Sequence, residues 1–219
     1  MKKRLSCILL IAILIGSIIN INTVQAANFN IDFETKTESI SLINLDTDTV
    51  VFEKNTNQKR SMASITKIMT YIVTVESIKD LEGTNITVDG KMLDILQGTD
   101  SSLSGIEEGQ TLNVIKLLNC LMVPSGNDAA LVLANYIGNG DVSKFVELMN
   151  QKARDLSCND THFSNPHGLY DENHYTTVND VVKMTKYAME LPYFMEISTQ
   201  VVSYVLGEDK PLVTTNSMI

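Results

Sequence analysis

The chain has 219 residues, with 17 Lys and Arg against 26 Asp and Glu, three His, three Cys and no Trp, a length that suits one globular domain with a sizeable buried core. A hydrophobic share of 44% with 20% charged residues excludes wholesale disorder. A formal charge of −9 without any Lys/Arg-rich stripe excludes a nucleic-acid partner, because phosphates call for positive surface.

Residues 1–26 read as a signal peptide. Lys2, Lys3 and Arg4 form a basic start, Leu5 to Ile21 is almost uninterrupted apolar chain, and Val24-Gln25-Ala26 places small residues at a cleavage point. Export and cleavage after Ala26 are expected, leaving 27–219 as the mature domain. Losing three cations and no acids takes its charge from −9 to −12. The apolar run sits at the short edge of bilayer-spanning length, so membrane association through an uncleaved segment is the alternative.

Next, Ser39 to Leu45 alternates partly at period two, Asp46-Thr47-Asp48-Thr49 supplies turn chemistry, and Val50-Val51-Phe52 is apolar again, which predicts a β-hairpin. Ile65, Ile68, Met69, Ile72, Val73 and Val75 recur at helical spacing, so a helix from Ser64 to about Ser77 buries one face. The glycine-bearing segment 79–110 is expected to form short strands and loops. Thr111 caps a predicted helix that Pro124 ends at Val123, since the residue before proline is pushed out of αR. A further helix covers Ala129 to Ile137. Asp141 caps another through Leu156, with Val142, Phe145, Val146, Leu148 and Met149 on its apolar side. Thr177-x-x-Asp180 resembles a capping box that opens a helix to about Glu190. Ser198 to Leu206 reads as extended. One hairpin, a helical middle and a late strand predict an α/β (α+β) fold, in which helices pack on an antiparallel sheet whose strands come from both chain ends.

Two short patterns carry chemistry. In Ser64-Ile65-Thr66-Lys67, residues at i and i+3 share a helix face, so the Ser64 hydroxyl and the Lys67 amine meet. A lysine whose pKa is lowered toward 7–8 can take the serine proton and make a nucleophile. The Ser64 N–H, at a helix start, can stabilise an oxyanion. In Ser125-Gly126-Asn127, Pro124 and Gly126 turn the chain between two helices and leave a hydroxyl and an amide free. Ser157-Cys158-Asn159 satisfies the same triplet, so it discriminates nothing alone.

Ser-x-x-Lys followed by Ser-x-Asn is a pattern of penicillin-binding proteins and serine β-lactamases. The surrounding words are more specific. Ala63-Ser64-Ile65-Thr66-Lys67-Ile68-Met69-Thr70, Pro124-Ser125-Gly126-Asn127-Asp128-Ala129-Ala130 and Thr161-His162-Phe163-Ser164-Asn165-Pro166-His167-Gly168-Leu169, with His174-Tyr175-Thr176-Thr177, resemble the D-alanyl-D-alanine carboxypeptidases, low-molecular-mass penicillin-binding proteins, from about Ile40 onward. The resemblance implies the serine β-lactamase/DD-peptidase-like fold, with a helical subdomain and no cofactor or metal. It implies an exported serine peptidase that removes the terminal D-Ala from peptidoglycan pentapeptides through an acyl-enzyme and is trapped by β-lactams. Ser64 would be the nucleophile, Lys67 its base, Ser125 the proton donor to the departing D-Ala, and Asn127 the holder of the substrate backbone.

The sequence departs from that family at one motif, for it contains no Lys-Thr-Gly. In the family that motif lies on a strand across the cleft, bringing a second cation, a carboxylate dock and a second oxyanion N–H. A fragment whose last sheet strands are missing, or a non-catalytic exported module that binds wall peptide or a partner protein, is therefore the other expectation. A β-lactamase is disfavoured because nothing resembles that group's deacylating glutamate loop.

His162, His167 and His174 lie near Asp171 and Glu172, but their spacing matches no helix-face zinc motif. The family resemblance makes the segment a metal-free loop beside the active site. Cys120 reads as a small buried hydrophobe and Cys158 as a helix-end residue, with a disulfide between them disfavoured.

Overall fold

A computed structural model of the chain describes residues 35–216. The expected signal peptide, residues 1–26, lies outside the described residues. The predicted hairpin is present as β1 (Ile40–Asn44) and β2 (Thr49–Lys54), antiparallel, with a register shift between Leu42 and Ile43.

A short 3₁₀ turn, Ala63–Ile65, leads into α1 (Thr66–Ser77). Helix α1 buries Thr66, Lys67, Met69, Thr70, Tyr71, Ile72, Val73 and Thr74, most of its circumference, which makes it a central helix rather than a surface one. The sequence expectation of one buried face underestimates it.

Segment 79–110 holds β3 (Asn85–Thr87) and a short helix α2 (Gly90–Asp94) that the periodicity does not announce. Thr111 corrects the sequence reading. It opens strand β4 (Thr111–Asn113), which pairs with β3, and Asn113 is the residue that caps α3 (Val114–Met122), accepting from Lys116 N–H. Helix α4 (Asn127–Ile137) starts two residues earlier than predicted, with Gly126 at its N-cap. Asp141 caps α5 (Val142–Asp155) as expected, although Leu148 is exposed and not on the buried side. Thr177 caps α6 (Val178–Met189) by accepting from Asp180 N–H. After α7 (Phe194–Ser198), the extended region resolves into β5 (Val202–Ser203) and β6 (Leu212–Val213).

Helix α1 contacts α3, α4, α5 and α6, so the core is a helical layer with α1 at its middle. Tyr71, Ile72, Leu117, Leu133, Phe145 and Met149 are fully enclosed there, each contributing about 1.5–3 kcal/mol by burial. The strands form three separate antiparallel pairs, β1–β2, β3–β4 and β5–β6. Among the described residues the first and last strands do not join one sheet, in contrast to the sequence expectation of a shared one. No helix among the described residues is long and apolar enough to cross a membrane.

Candidate active site

The buried position of α1 decides the state of Lys67. Its side chain is carried into the interior one turn after Ser64, and the residue is 2% exposed, whereas Ser64 is exposed. Burial disfavours the ammonium, and although Asp128 opposes it, desolvation wins and lowers the amine from 10.5 to about 8. No second cation is needed for that shift.

Lys67 Nζ donates to Asn127 Oδ1 at 2.7 Å and to the His167 carbonyl at 2.8 Å, and stands 3.4 Å from Ser64 Oγ. Both near partners are acceptors only. A neutral amine has two N–H groups and one lone pair, so two acceptors that hold both hydrogens leave the lone pair for the third neighbour, Ser64. The sequence-predicted pair is thus brought together, with one difference: Ser64 sits in the 3₁₀ turn ahead of α1, not on the α-helix. The hydrogen bonds of that turn start at Ile65 N–H, upstream of which the Ser64 N–H is not used.

Asn127 occupies the first turn of α4, where Gly126 must be glycine because a Cβ there would lie 2.6 Å from the Cys120 carbonyl. The amide is fixed at both ends, Oδ1 by Lys67 and Nδ2 by donation to Ser101 Oγ at 3.0 Å. Asp128, which sequence reasoning misses, accepts from Ser104 N–H and hydroxyl and from Gly105 and Ala129 N–H. It staples segment 101–105 to the start of α4, and its one sequence signal is an acid in the first turn of a helix.

Ser125 lies in the break between α3 and α4, with a left-handed backbone at φ 62°. Its Oγ is buried without a hydrogen-bond partner. An unpaired buried hydroxyl costs about 1–3 kcal/mol, and both that and the backbone strain are features retained at functional sites.

The 162–169 loop walls the site. Pro166 and His167 present carbonyls to Thr70 and Lys67, and Asn165 closes the turn through His167 and Gly168 N–H. Its histidines do not converge, and among the described residues no group of three His, Cys, Asp or Glu is placed to hold a metal. His162 Nδ1 pairs with the Asn173 carbonyl, and His174 faces Thr66 and Ser164. A groove of about 660 Å³ lies beyond this wall, lined by Ile95, Val146, Phe163 and His167, but by none of Ser64, Lys67, Ser125 or Asn127. Cys120 and Cys158 are both buried and free.

Comparisons place the chain among known proteins. Residues 22–217 match the family described as D-alanyl-D-alanine carboxypeptidase. The D-alanyl-D-alanine carboxypeptidase DacF of Bacillus subtilis is 31% identical over the whole chain, and DacD of Escherichia coli is 35% identical over 66% of it. The chain spans 57% and 38% of their lengths. Among solved structures, the Streptomyces K15 DD-transpeptidase superposes with a TM-score of 0.74 at 25% identity, over 84% of this chain and 76% of that one. DacD from Francisella tularensis gives 0.70 at 31%, over 78% and 41%.

Proposed function

Because the chain belongs to the D-alanyl-D-alanine carboxypeptidase family, we propose that it is a serine peptidase acting on D-Ala-D-Ala-terminated peptidoglycan stem peptides, with 27–219 contributing its catalytic domain. The observation that carries this reading is the buried Lys67 amine, its pKa lowered to about 8, held by Asn127 Oδ1 and the His167 carbonyl and standing 3.4 Å from Ser64 Oγ, where its neutral form can take the serine proton.

In this reading Lys67 takes the Ser64 proton as Oγ attacks the carbonyl of the penultimate D-Ala. The negative charge that develops on the carbonyl oxygen faces the Ser64 N–H. The C–N bond then breaks, Ser125 passes its proton to the departing amine, and Lys67 re-protonates Ser125. Water hydrolyses the ester and leaves a peptide shorter by one D-Ala. Asn127 holds the substrate backbone while its carbonyl oxygen orients Lys67. A β-lactam would acylate Ser64 by the same steps. The basic start and apolar run of residues 2–21 support export to the outer face of the cytoplasmic membrane, either cleaved or retained as an anchor.

The 219 residues given hold no Lys-Thr-Gly, and the second reading is a non-catalytic exported module that binds wall peptide or a partner. Release of D-Ala from a synthetic peptide ending in D-Ala-D-Ala separates the two. Turnover that Ser64→Ala removes supports the peptidase, and binding of the same peptide without turnover supports the module.

A further inference from the structure

Ser64 is aimed by the residue before it. Ala63 has φ 44°, a left-handed conformation that a non-glycine residue holds only where its surroundings impose it. Its carbonyl is the point of imposition. Thr66 Oγ1 donates to it at 2.7 Å, and beside that hydroxyl Gly168 closes in so tightly that a Cβ would lie 2.0 Å from the Ala63 oxygen and 3.0 Å from Thr66 Oγ1. Thr66 is in turn 2.7 Å from His174 Nε2, and His174 Nδ1 accepts from Ser164 N–H at 3.0 Å.

Every proton in this chain has one direction. A backbone N–H can only donate, so Nδ1 is an acceptor and the proton of the neutral imidazole lies on Nε2. Thr66 uses its hydrogen on Ala63 and therefore accepts from Nε2–H. The ring is 1% exposed, and Phe163 meets it edge to face at 5.8 Å. Burial lowers its pKa to about 4 against the raising influence of Asp171, with His162 acting in the same sense as burial, so the chain stays intact at neutral pH.

We infer that His174, through Thr66, holds the Ala63 peptide in the conformation that points Ser64 at Lys67, making His174 and Thr66 positioning residues for the nucleophile. The inference rests on the peptidase reading, and it gives a role to a histidine whose sequence context suggests only a metal-free loop beside the site. Nothing is transferred along the chain during turnover; its function is to keep the carbonyl, and with it the Ser64 Cα–Cβ bond, from relaxing to a right-handed turn.

The test uses the full chain with Thr66→Val, which keeps the shape and removes the hydroxyl, and Thr66→Ser, which restores it. Fluorescent penicillin acylation should fall about 10- to 100-fold in the valine variant and return to within about threefold of the parent in the serine variant. His174→Leu on the valine background should add no further loss, because the link is already cut. A valine variant that acylates at the parental rate, or losses that multiply in the double variant, would overturn the proposal. The ¹⁵N spectrum of the unmodified chain gives a readout that does not depend on activity. It should show His174 as the Nε2–H tautomer, with the Ser64 amide resonance moving in Thr66→Val and returning in Thr66→Ser. A chain that fails to acylate at all sinks the peptidase reading, and these resonances then decide the relay alone, an Nδ1–H tautomer or an unmoved Ser64 amide refuting it.

Discussion

The Asn127 side-chain oxygen lies 2.7 Å from Lys67 Nζ, while its nitrogen is committed to Ser101, so the amide can only accept from the amine. Asn127→Asp puts a negative charge in that place and favours the ammonium. The expected outcome is slower acylation at pH 7, about tenfold or more, recovered in part at alkaline pH. A pH–rate series on both proteins checks it.

The parent's own pH profile follows from Lys67 at about 8. In the proposed mechanism the base is the neutral amine, so acylation should rise about tenfold per pH unit below 8 and level off above it. Asp128 raises the Lys67 pKa; Asp128→Asn should therefore move the inflection to lower pH, while weakening the staple to segment 101–105. Stopped-flow acylation across pH 5–10 measures both.

Stability should fall on mild acidification. Burial lowers His167 and His174 from 6.5 to about 4, with Lys67 and His174 adding to the effect at His167. Between those values the unfolded chain binds protons that the folded chain refuses, so unfolding free energy rises with pH through this window. The stabilisation is fully present above about 6.5 and is lost as pH falls toward 4. Two such groups give a slope of up to about 2.7 kcal/mol per pH unit, which urea midpoints from pH 7 to 4 would reveal.

Gly168 combines φ 96° with contact against the Ala63 carbonyl. Gly168→Ala must shift the backbone just ahead of Ser64, so a loss of about 2 kcal/mol or more is expected, together with slower acylation. Gly140, at φ 86° with open space around its Cβ position, is the control: Gly140→Ala should lose stability with acylation unchanged.

The candidate site is legible in the sequence because its signal is local. Ser64 and Lys67 are three residues apart across the 3₁₀ turn and the start of α1, and Pro124 and Gly126 announce the break that presents Ser125. Asn127 belongs to the same word, though its double anchoring depends on Ser101 in a segment without periodicity. Thr111 is misplaced by pattern alone because a three-residue strand beside a helix offers too few residues for either period to dominate. The separation of the strands into three pairs depends on contacts distant in sequence, which alternation cannot report. His174 draws attention as a metal ligand by residue type alone; its partners, Thr66 and Ser164, lie 108 and ten residues away, and only folding selects them.

The account stands on Ser64 being the group that Lys67 activates. Intact-mass analysis and peptide mapping after exposure to benzylpenicillin at pH 8 test it most directly. One penicilloyl adduct on the peptide that contains Ser64, absent from Ser64→Ala, is the predicted result. An adduct on another residue, labelling that survives in Ser64→Ala, or a folded chain that takes no label would contradict it.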